Sequence, residues 1–122
     1  MSSVAIAAAR RAQSLAMLLT ACVVLAVGFG TLWPTLVVHG PAGTDKTIHL
    51  LAFAAIVLPT AIFTPRRLFW IIPAAACYGA AIELIQPMVG RTADLNDFLA
   101  DAAGICIGAG AGLLLSLFVP KP

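Results

Sequence analysis

Four long apolar runs, separated by short segments rich in proline, glycine and charge, limit the fold of this chain more than any other feature. Hydrophobic residues make up 61% of its 122 residues and charged residues only 10%, which is more apolar surface than a soluble domain of this size can bury. A bilayer can solvate that surface, and helices cross it because their backbone polar groups are paired within the segment. The sequence therefore predicts an all-α fold, one domain over residues 1–122 that forms a small four-helix transmembrane bundle.

The apolar runs and the breaks between them give the approximate bounds of the helices. Transmembrane helices are predicted at about residues 14–38, 47–63, 68–86 and 97–119. Proline or glycine follows each run and ends it, as Pro120 does for the last. Thr44 or Asp45 is expected to cap the second helix, and Asp94 the fourth.

The basic residues predict how the bundle is oriented in the membrane. Two of them, Lys46 and Arg91, fall at one predicted end, and five fall at the other: Arg10, Arg11, Arg66, Arg67 and Lys121. Basic residues concentrate on the cytoplasmic side of membrane proteins. Both termini are therefore expected in the cytoplasm, with the loops 39–47 and 86–97 on the extracytoplasmic side.

The acidic residues all fall in or near the predicted extracytoplasmic half: Asp45, Glu83, Asp94, Asp97 and Asp101. The rule for basic residues does not explain this segregation, because Asp and Glu contribute little to orientation. Helical spacing puts Asp94, Asp97 and Asp101 on one face of helix four. Together with nearby polar groups on helices two and three they form a candidate polar site: Asp45, Lys46, His49, Glu83, Gln86, Arg91, Asp97 and Asp101.

Two of these carboxylates need partners, because Asp101 lies about two turns inside helix four and Glu83 a turn before the end of helix three. A charged side chain at mid-membrane costs about 2.5–3.5 kcal/mol on the insertion scale. Lys46, His49 and Arg91 are the available partners. The structural alternative is an ion pair that joins helix ends, while amino-terminal capping is the alternative role of Asp94 or Asp97.

A second pattern on helix four concerns packing. Gly104, Gly108 and Gly112 recur every four residues as two overlapping GxxxG patterns, which predict close approach of another helix. Packing within the bundle is favoured, and a homo-oligomer interface is the alternative.

Composition argues against several other classes of site. A net charge of +2 without a basic patch does not indicate nucleic-acid binding. Cys22, Cys77 and Cys106 each lie alone in a different apolar run, so we expect no disulfide and interpret them as packing residues. One histidine among scattered acids does not by itself predict a metal site, and no cofactor is expected.

The polar residues also resemble a known pattern. The segment DKTIH from Asp45 to His49 looks like the D-K-x-x-H signature of the VanZ-like membrane protein family. The positions Glu83 to Gln86, Arg91, Asp97 and Gly104 to Gly108 are similar in order and spacing to the E-x-x-Q, R, D and G-x-x-x-G positions of that family. Asp101 departs from the pattern, which often has Asn there, so it adds a negative charge and removes an amide donor.

The resemblance covers residues 45 to 108 and implies a multi-pass bacterial membrane protein, so the bacterial cytoplasmic (inner) membrane is the expected location. The family is named after a member associated with resistance to the glycopeptide antibiotic teicoplanin. A link to glycopeptide resistance or to envelope homeostasis is therefore a further implication.

The leading functional hypothesis is a non-enzymatic protein that binds the head group of a membrane lipid or a lipid-linked envelope precursor. Lys46, His49 and Arg91 are expected to face phosphate or sugar, and the glycine face of helix four to admit an acyl chain. One alternative is an enzyme that acts on a lipid-linked substrate through His49 and a carboxylate, as acid and base or through a divalent metal. Another is an oligomeric transporter of small molecules or protons.

Overall fold

The computed structural model describes residues 2–36 and 39–119, which fold as four α-helices without a strand. In chain order these are α1 (Ser3–Leu32), α2 (Thr44–Phe63), α3 (Leu68–Ile85) and α4 (Leu95–Ser116). Short 3-10 segments, Pro65–Arg67 and Gln86–Val89, flank α3. All four helices are long and apolar enough to cross a membrane. The prediction of an all-α bundle of four membrane-spanning helices is confirmed, while the orientation of the termini stays a prediction.

Helix α1 is displaced toward the amino terminus relative to the predicted span 14–38. It begins at Ser3, because the Ser2 hydroxyl accepts a hydrogen bond from the Ala5 amide and the following segment is rich in alanine, the strongest helix former. It ends at Leu32, because Pro34 disfavours the helical conformation of the residue before it and Trp33 is extended. The predicted end at 37–38 lies outside the described residues.

The two helices of the predicted polar site start in different ways. The N-cap of α2 is Gly43, in the left-handed region with φ 88°, and it makes no side-chain cap. The prediction that Thr44 or Asp45 caps α2 is therefore wrong, and the Thr44 hydroxyl instead donates to the Pro41 carbonyl at 2.8 Å. Capping by Asp94 is confirmed, since its carboxylate accepts from the Asn96 amide at 2.8 Å.

Because of that cap, α4 begins at Leu95 rather than at the predicted 97, and it ends at Ser116 before the predicted 119. Pro120, expected to end this helix, and the basic residue Lys121 lie outside the described part of the chain.

Helices α2 and α4 form the closest pair in the bundle. A Cβ atom built at Gly108 would lie 2.5 Å from the Ala54 carbonyl oxygen, and one at Gly104 would collide with the Leu50 carbonyl oxygen. Gly112 in the same way faces Ala61. The glycine face of α4 thus packs against the backbone of α2 within one chain. We call this contact the α2–α4 seam.

Apolar side chains fill the bundle on both sides of this seam. The buried core consists of residues from α2, α3 and α4: Phe53, Ile56, Val57, Ala61, Leu68, Ala75, Ile82, Ile105 and Ala109. Large hydrophobic residues such as Leu25 and Leu84 are exposed on the outer surface, as expected for a surface covered by lipid.

The cysteines lie on that outer surface. Cys22, Cys77 and Cys106 are all free and exposed, so their interpretation as packing residues inside the bundle is wrong. A cysteine behaves as a small hydrophobe, and such a side chain is equally compatible with lipid and with a protein core. Hydropathy therefore does not distinguish the two positions.

The bundle has two chemically different ends. At the polar end, the starts of α2 and α4 lie beside the ends of α1 and α3, and the ring of Trp33 contacts that of Phe29 with centroids 4.8 Å apart. At the other end, which we call the arginine end, the segment from Thr64 to Arg67 lies near residues 9–13 of α1. There Trp70 contacts Phe69 edge to face, with centroids 5.1 Å apart.

Candidate functional site

Lys46, in the first turn of α2, joins three carboxylates at the polar end. Its Nζ atom lies 3.3 Å from Asp45 Oδ2, 3.2 Å from Asp94 Oδ2 and 3.4 Å from Asp97 Oδ1. The backbone amide of Asn96 and the Lys46 ammonium together hold the pKa of Asp94 below its ordinary value. Lys46 therefore neutralises part of the acidic cluster and links the starts of α2 and α4.

His49 and Asp101 form a hydrogen-bonded pair deeper in the bundle, across the α2–α4 seam. His49 Nδ1 lies 2.8 Å from Asp101 Oδ1, and the two residues are 7% and 0% exposed. Asp101 was expected to need a partner inside the membrane, and that partner is His49. The second oxygen, Oδ2, has no hydrogen-bond partner and lies toward Gly79 of α3, where a Cβ atom would be only 2.8 Å from it.

Glu83 finds a different partner from the basic residues that we expected. Its Oε2 atom accepts a hydrogen bond of 2.9 Å from the backbone amide of Asp94, just before α4. The other oxygen, Oε1, is buried without a hydrogen-bond partner. The bond ties the last turn of α3 to the start of α4, because an amide at a helix N-terminus is a good donor to a carboxylate.

Arg91 binds the end of α1. Its Nη1 atom lies 2.7 Å from the Leu36 carbonyl oxygen, 3.3 Å from that of Trp33 and 3.4 Å from that of Gly30. The last carbonyl groups of a helix lack partners within the helix, and a basic side chain commonly satisfies them. One nitrogen of the guanidinium that was expected to face phosphate or sugar is thus already bonded to the end of α1 and the segment that follows it.

Gln86 makes a similar contact from the end of α3. Its Nε2 atom donates to the Thr31 carbonyl oxygen at 3.2 Å, while its Oε1 atom has no hydrogen-bond partner. The residue is only 2% exposed. A buried amide oxygen without a partner is costly, which makes Gln86 a candidate to meet a ligand.

A cleft of about 630 Å³ opens between α1, α2 and the loop at the polar end. Among the candidate site residues it is lined by Asp45, His49, Gln86, Arg91 and Asp97, whereas Lys46, Glu83 and Asp101 lie outside its lining. Further from the polar end its walls become apolar. We call this space the α1–α2 cleft.

The apolar wall of the cleft was not predicted from the sequence. It is formed by Val23, Ala26, Val27 and Ala52. Apolar residues in an apolar helix carry no signal that separates a cleft wall from a lipid-facing surface. Gly79 was also missed, although an isolated glycine inside an apolar run was a usable sign of a close approach.

These features define a small multi-pass membrane protein with a cluster of charged side chains at one end. The family model VanZ/LLP1 matches residues 13–118, and the chain belongs to this family. The resemblance seen in the motifs is thereby confirmed. Neither a curated protein nor a solved structure matches the chain.

Proposed function

We propose that this VanZ-family membrane protein binds an amphiphile, a lipid or a lipid-linked envelope precursor, in the α1–α2 cleft. The observation that carries the proposal is the lining of the cleft, which combines polar side chains at the polar end with apolar side chains further along α1 and α2. A volume of about 630 Å³ lies within the range of small-molecule sites in proteins. The head group would lie at the polar end and an acyl chain along the apolar wall.

This proposal moves the acyl chain away from the position expected from the sequence. The glycine face of α4 has no room for it, because Gly104 and Gly108 contact the backbone of α2. The wall formed by Ala26, Val27 and Ala52 offers an apolar surface instead.

The polar lining also favours one class of head group. Arg91 already donates to three carbonyl oxygens, and Asp45 and Asp97 offer carboxylate oxygens. The Oε1 atom of Gln86 is a further acceptor without a partner. Carboxylate and amide oxygens accept hydrogen bonds, so they favour a head group with hydroxyl or ammonium donors over a bare phosphate.

Two neighbouring residues of α1 provide a matched test. Ala26 lines the cleft, whereas Leu25 is exposed on the outer surface and does not line it. We expect the amount of the lipid class that co-purifies with the protein to fall at least tenfold in A26W, because the indole fills the apolar part of the cleft. L25W should retain it, and lipid mass spectrometry of the purified proteins measures both. Equal retention by the two variants would overturn the proposal.

The proposal extends to the setting of the protein. We place the polar end on the outer face of a bacterial cytoplasmic membrane, and the family resemblance implies a role in glycopeptide resistance or envelope homeostasis. In a deletion strain, the wild-type and L25W proteins should then restore teicoplanin tolerance or envelope integrity, and A26W should not. Restoration by all three proteins would show that the phenotype does not depend on the cleft.

A second candidate function is an enzyme that acts on a lipid-linked substrate. It is favoured by the His49 to Asp101 hydrogen bond, because a buried carboxylate that orients an imidazole is common among acid–base catalysts. Turnover of a lipid-linked substrate by the purified protein, abolished in H49Q, would establish it.

A further inference from the structure

Three side chains from three different helices bring metal-ligating atoms together beside the cleft. A ring nitrogen of His49 on α2 and carboxylate oxygens of Glu83 on α3 and Asp97 on α4 all lie within 4.8 Å of one another. His49 and Asp97 also line the α1–α2 cleft. Imidazole and carboxylate are ligands of divalent first-row transition metals.

A second observation points to a ligand at this place. Glu83 Oε1 is buried without a hydrogen-bond partner. One turn away, Gln86 is 2% exposed, lines the same cleft as His49 and Asp97, and leaves its Oε1 atom without a partner. Buried oxygens without partners are rare, because each carries a desolvation cost that a bound group would offset.

The orientation of His49 fits metal binding as well. Asp101 holds Nδ1 by a hydrogen bond of 2.8 Å, which leaves Nε2 as the ring nitrogen for a ligand. A carboxylate behind a metal-binding histidine fixes the tautomer and raises the basicity of the imidazole. The VanZ-like pattern often has Asn at this position. The carboxylate of Asp101 therefore suits the orientation of a metal-binding His49.

The charge of the polar end points the same way. Among the residues that the structure describes, five carboxylates gather there together with two Lys or Arg side chains, Lys46 and Arg91. Lys46 reaches Asp97 only at 3.4 Å, the longest of its three ion pairs. A divalent cation would reduce the remaining negative charge, which is costly at the edge of a membrane.

We propose that His49, Glu83 and Asp97 bind one divalent transition-metal ion, Zn²⁺ or Mn²⁺, with Asp101 orienting His49 from behind. Metal–ligand bonds of about 2.0–2.2 Å require the three donor atoms to approach one another, which rotation of the Glu83 and Asp97 side chains can provide. Three protein ligands leave a coordination position open for water or another ligand. The site shares His49 and Asp97 with the lining of the cleft, but its three ligands are protein side chains, so metal binding does not need the amphiphile proposed above.

The test is metal binding by the purified full-length protein, dialysed against Zn²⁺ or Mn²⁺ and analysed by elemental mass spectrometry and titration calorimetry. We expect one ion per chain for the wild type. H49Q and E83Q should bind at least tenfold more weakly, because each loses a ligand. D45N is the matched control, since it removes a carboxylate from the same end that is not one of the three ligands, and it should bind as the wild type does.

A further variant, D101N, distinguishes an orienting role of Asp101 from general attraction of the cation by the negative charge of the polar end. Loss of a carboxylate behind the ligand typically weakens metal binding by about 10–100-fold, so D101N should retain one site per chain with affinity reduced in that range. Substoichiometric binding by the wild type would overturn the proposal, as would equal affinities of E83Q and D45N. Because H49Q removes a buried side chain, E83Q and D101N decide the result if H49Q does not fold. Loss of lipid in A26W with unchanged metal binding would show that the metal binds without the lipid, so failure of one proposal can be distinguished from failure of the other.

Discussion

Helices α4 and α1 both pack against α2, but they are held in different ways. Helix α4 approaches so closely that Gly104, Gly108 and Gly112 leave no space for a Cβ atom. Helix α1 leaves a cleft and is joined to its neighbours by separate hydrogen bonds, such as the 2.6 Å bond from the Tyr78 hydroxyl to the Val24 carbonyl oxygen. Between helices surrounded by lipid, hydrophobic burial gives little driving force, so close packing and hydrogen bonds provide the association.

The α2–α4 seam and helix α1 also have different roles in the proposed function. The buried His49 to Asp101 pair crosses the α2–α4 seam, and Lys46 joins the starts of the same two helices. Helix α1 supplies most of the apolar wall of the cleft. We infer that the seam fixes the geometry of the polar groups, while the contacts of α1 set the width of the cleft.

The largest effect is expected at the seam. G108V should lower the free energy of unfolding by about 3 kcal/mol or more, because the added side chain would overlap the Ala54 carbonyl and force α2 and α4 apart. Unfolding of the purified protein in mild detergent measures this effect. G110V is the control, since nothing lies within 4 Å of a Cβ atom at Gly110. Equal stability of the two variants would mean that the glycine contacts do not hold the seam.

An intermediate effect is expected where Arg91 holds α1. R91Q should lower the free energy of unfolding by about 1.5–3 kcal/mol, the usual contribution of hydrogen bonds to a charged group. The reason is that glutamine cannot reach all three carbonyl oxygens. Amide hydrogen exchange should rise in the last turn of α1 and stay unchanged along the seam. R66Q removes one positive charge at the arginine end and serves as the control. Faster exchange in α4 would show that the two contacts are not independent.

The smallest effect is expected from Y78F. It removes only the hydroxyl that donates to Val24 and keeps the ring beside Phe53, with centroids 6.0 Å apart. Hydrogen bonds between membrane helices contribute about 0.6 kcal/mol on average, so the free energy of unfolding should fall by about that amount. A loss larger than that of R91Q would mean that Tyr78, rather than Arg91, chiefly holds α1.

Much of the fold follows from the sequence because hydropathy and helix signals are local. The four apolar runs predict the four helices, and Asp94 predicts the start of α4. Gly43 replaces the expected cap of α2, since a left-handed glycine can start a helix without a side-chain acceptor. The end of α1 was missed, although Pro34 marks it.

The candidate site was less predictable, because it depends on which faces meet. The order of the apolar runs predicted that the acids lie at one end, where Asp45, Asp94 and Asp97 meet Lys46. It did not show that Arg91 would bond to the end of α1 or that Glu83 would bond to a backbone amide. A lipid-facing surface and a buried face are equally apolar. The sequence therefore could not distinguish a lipid-facing surface from the wall of the cleft.

The two tryptophans of the chain have a practical consequence. Trp33 lies at the polar end and Trp70 at the arginine end, both exposed, and indole rings favour the boundary between lipid and water. Their fluorescence therefore reports the two membrane surfaces separately in W70F and W33F. A water-soluble quencher added outside sealed vesicles will dim Trp33 alone when the polar end faces outward. The fluorescence of the two tryptophans thus measures the orientation of the chain in the bilayer.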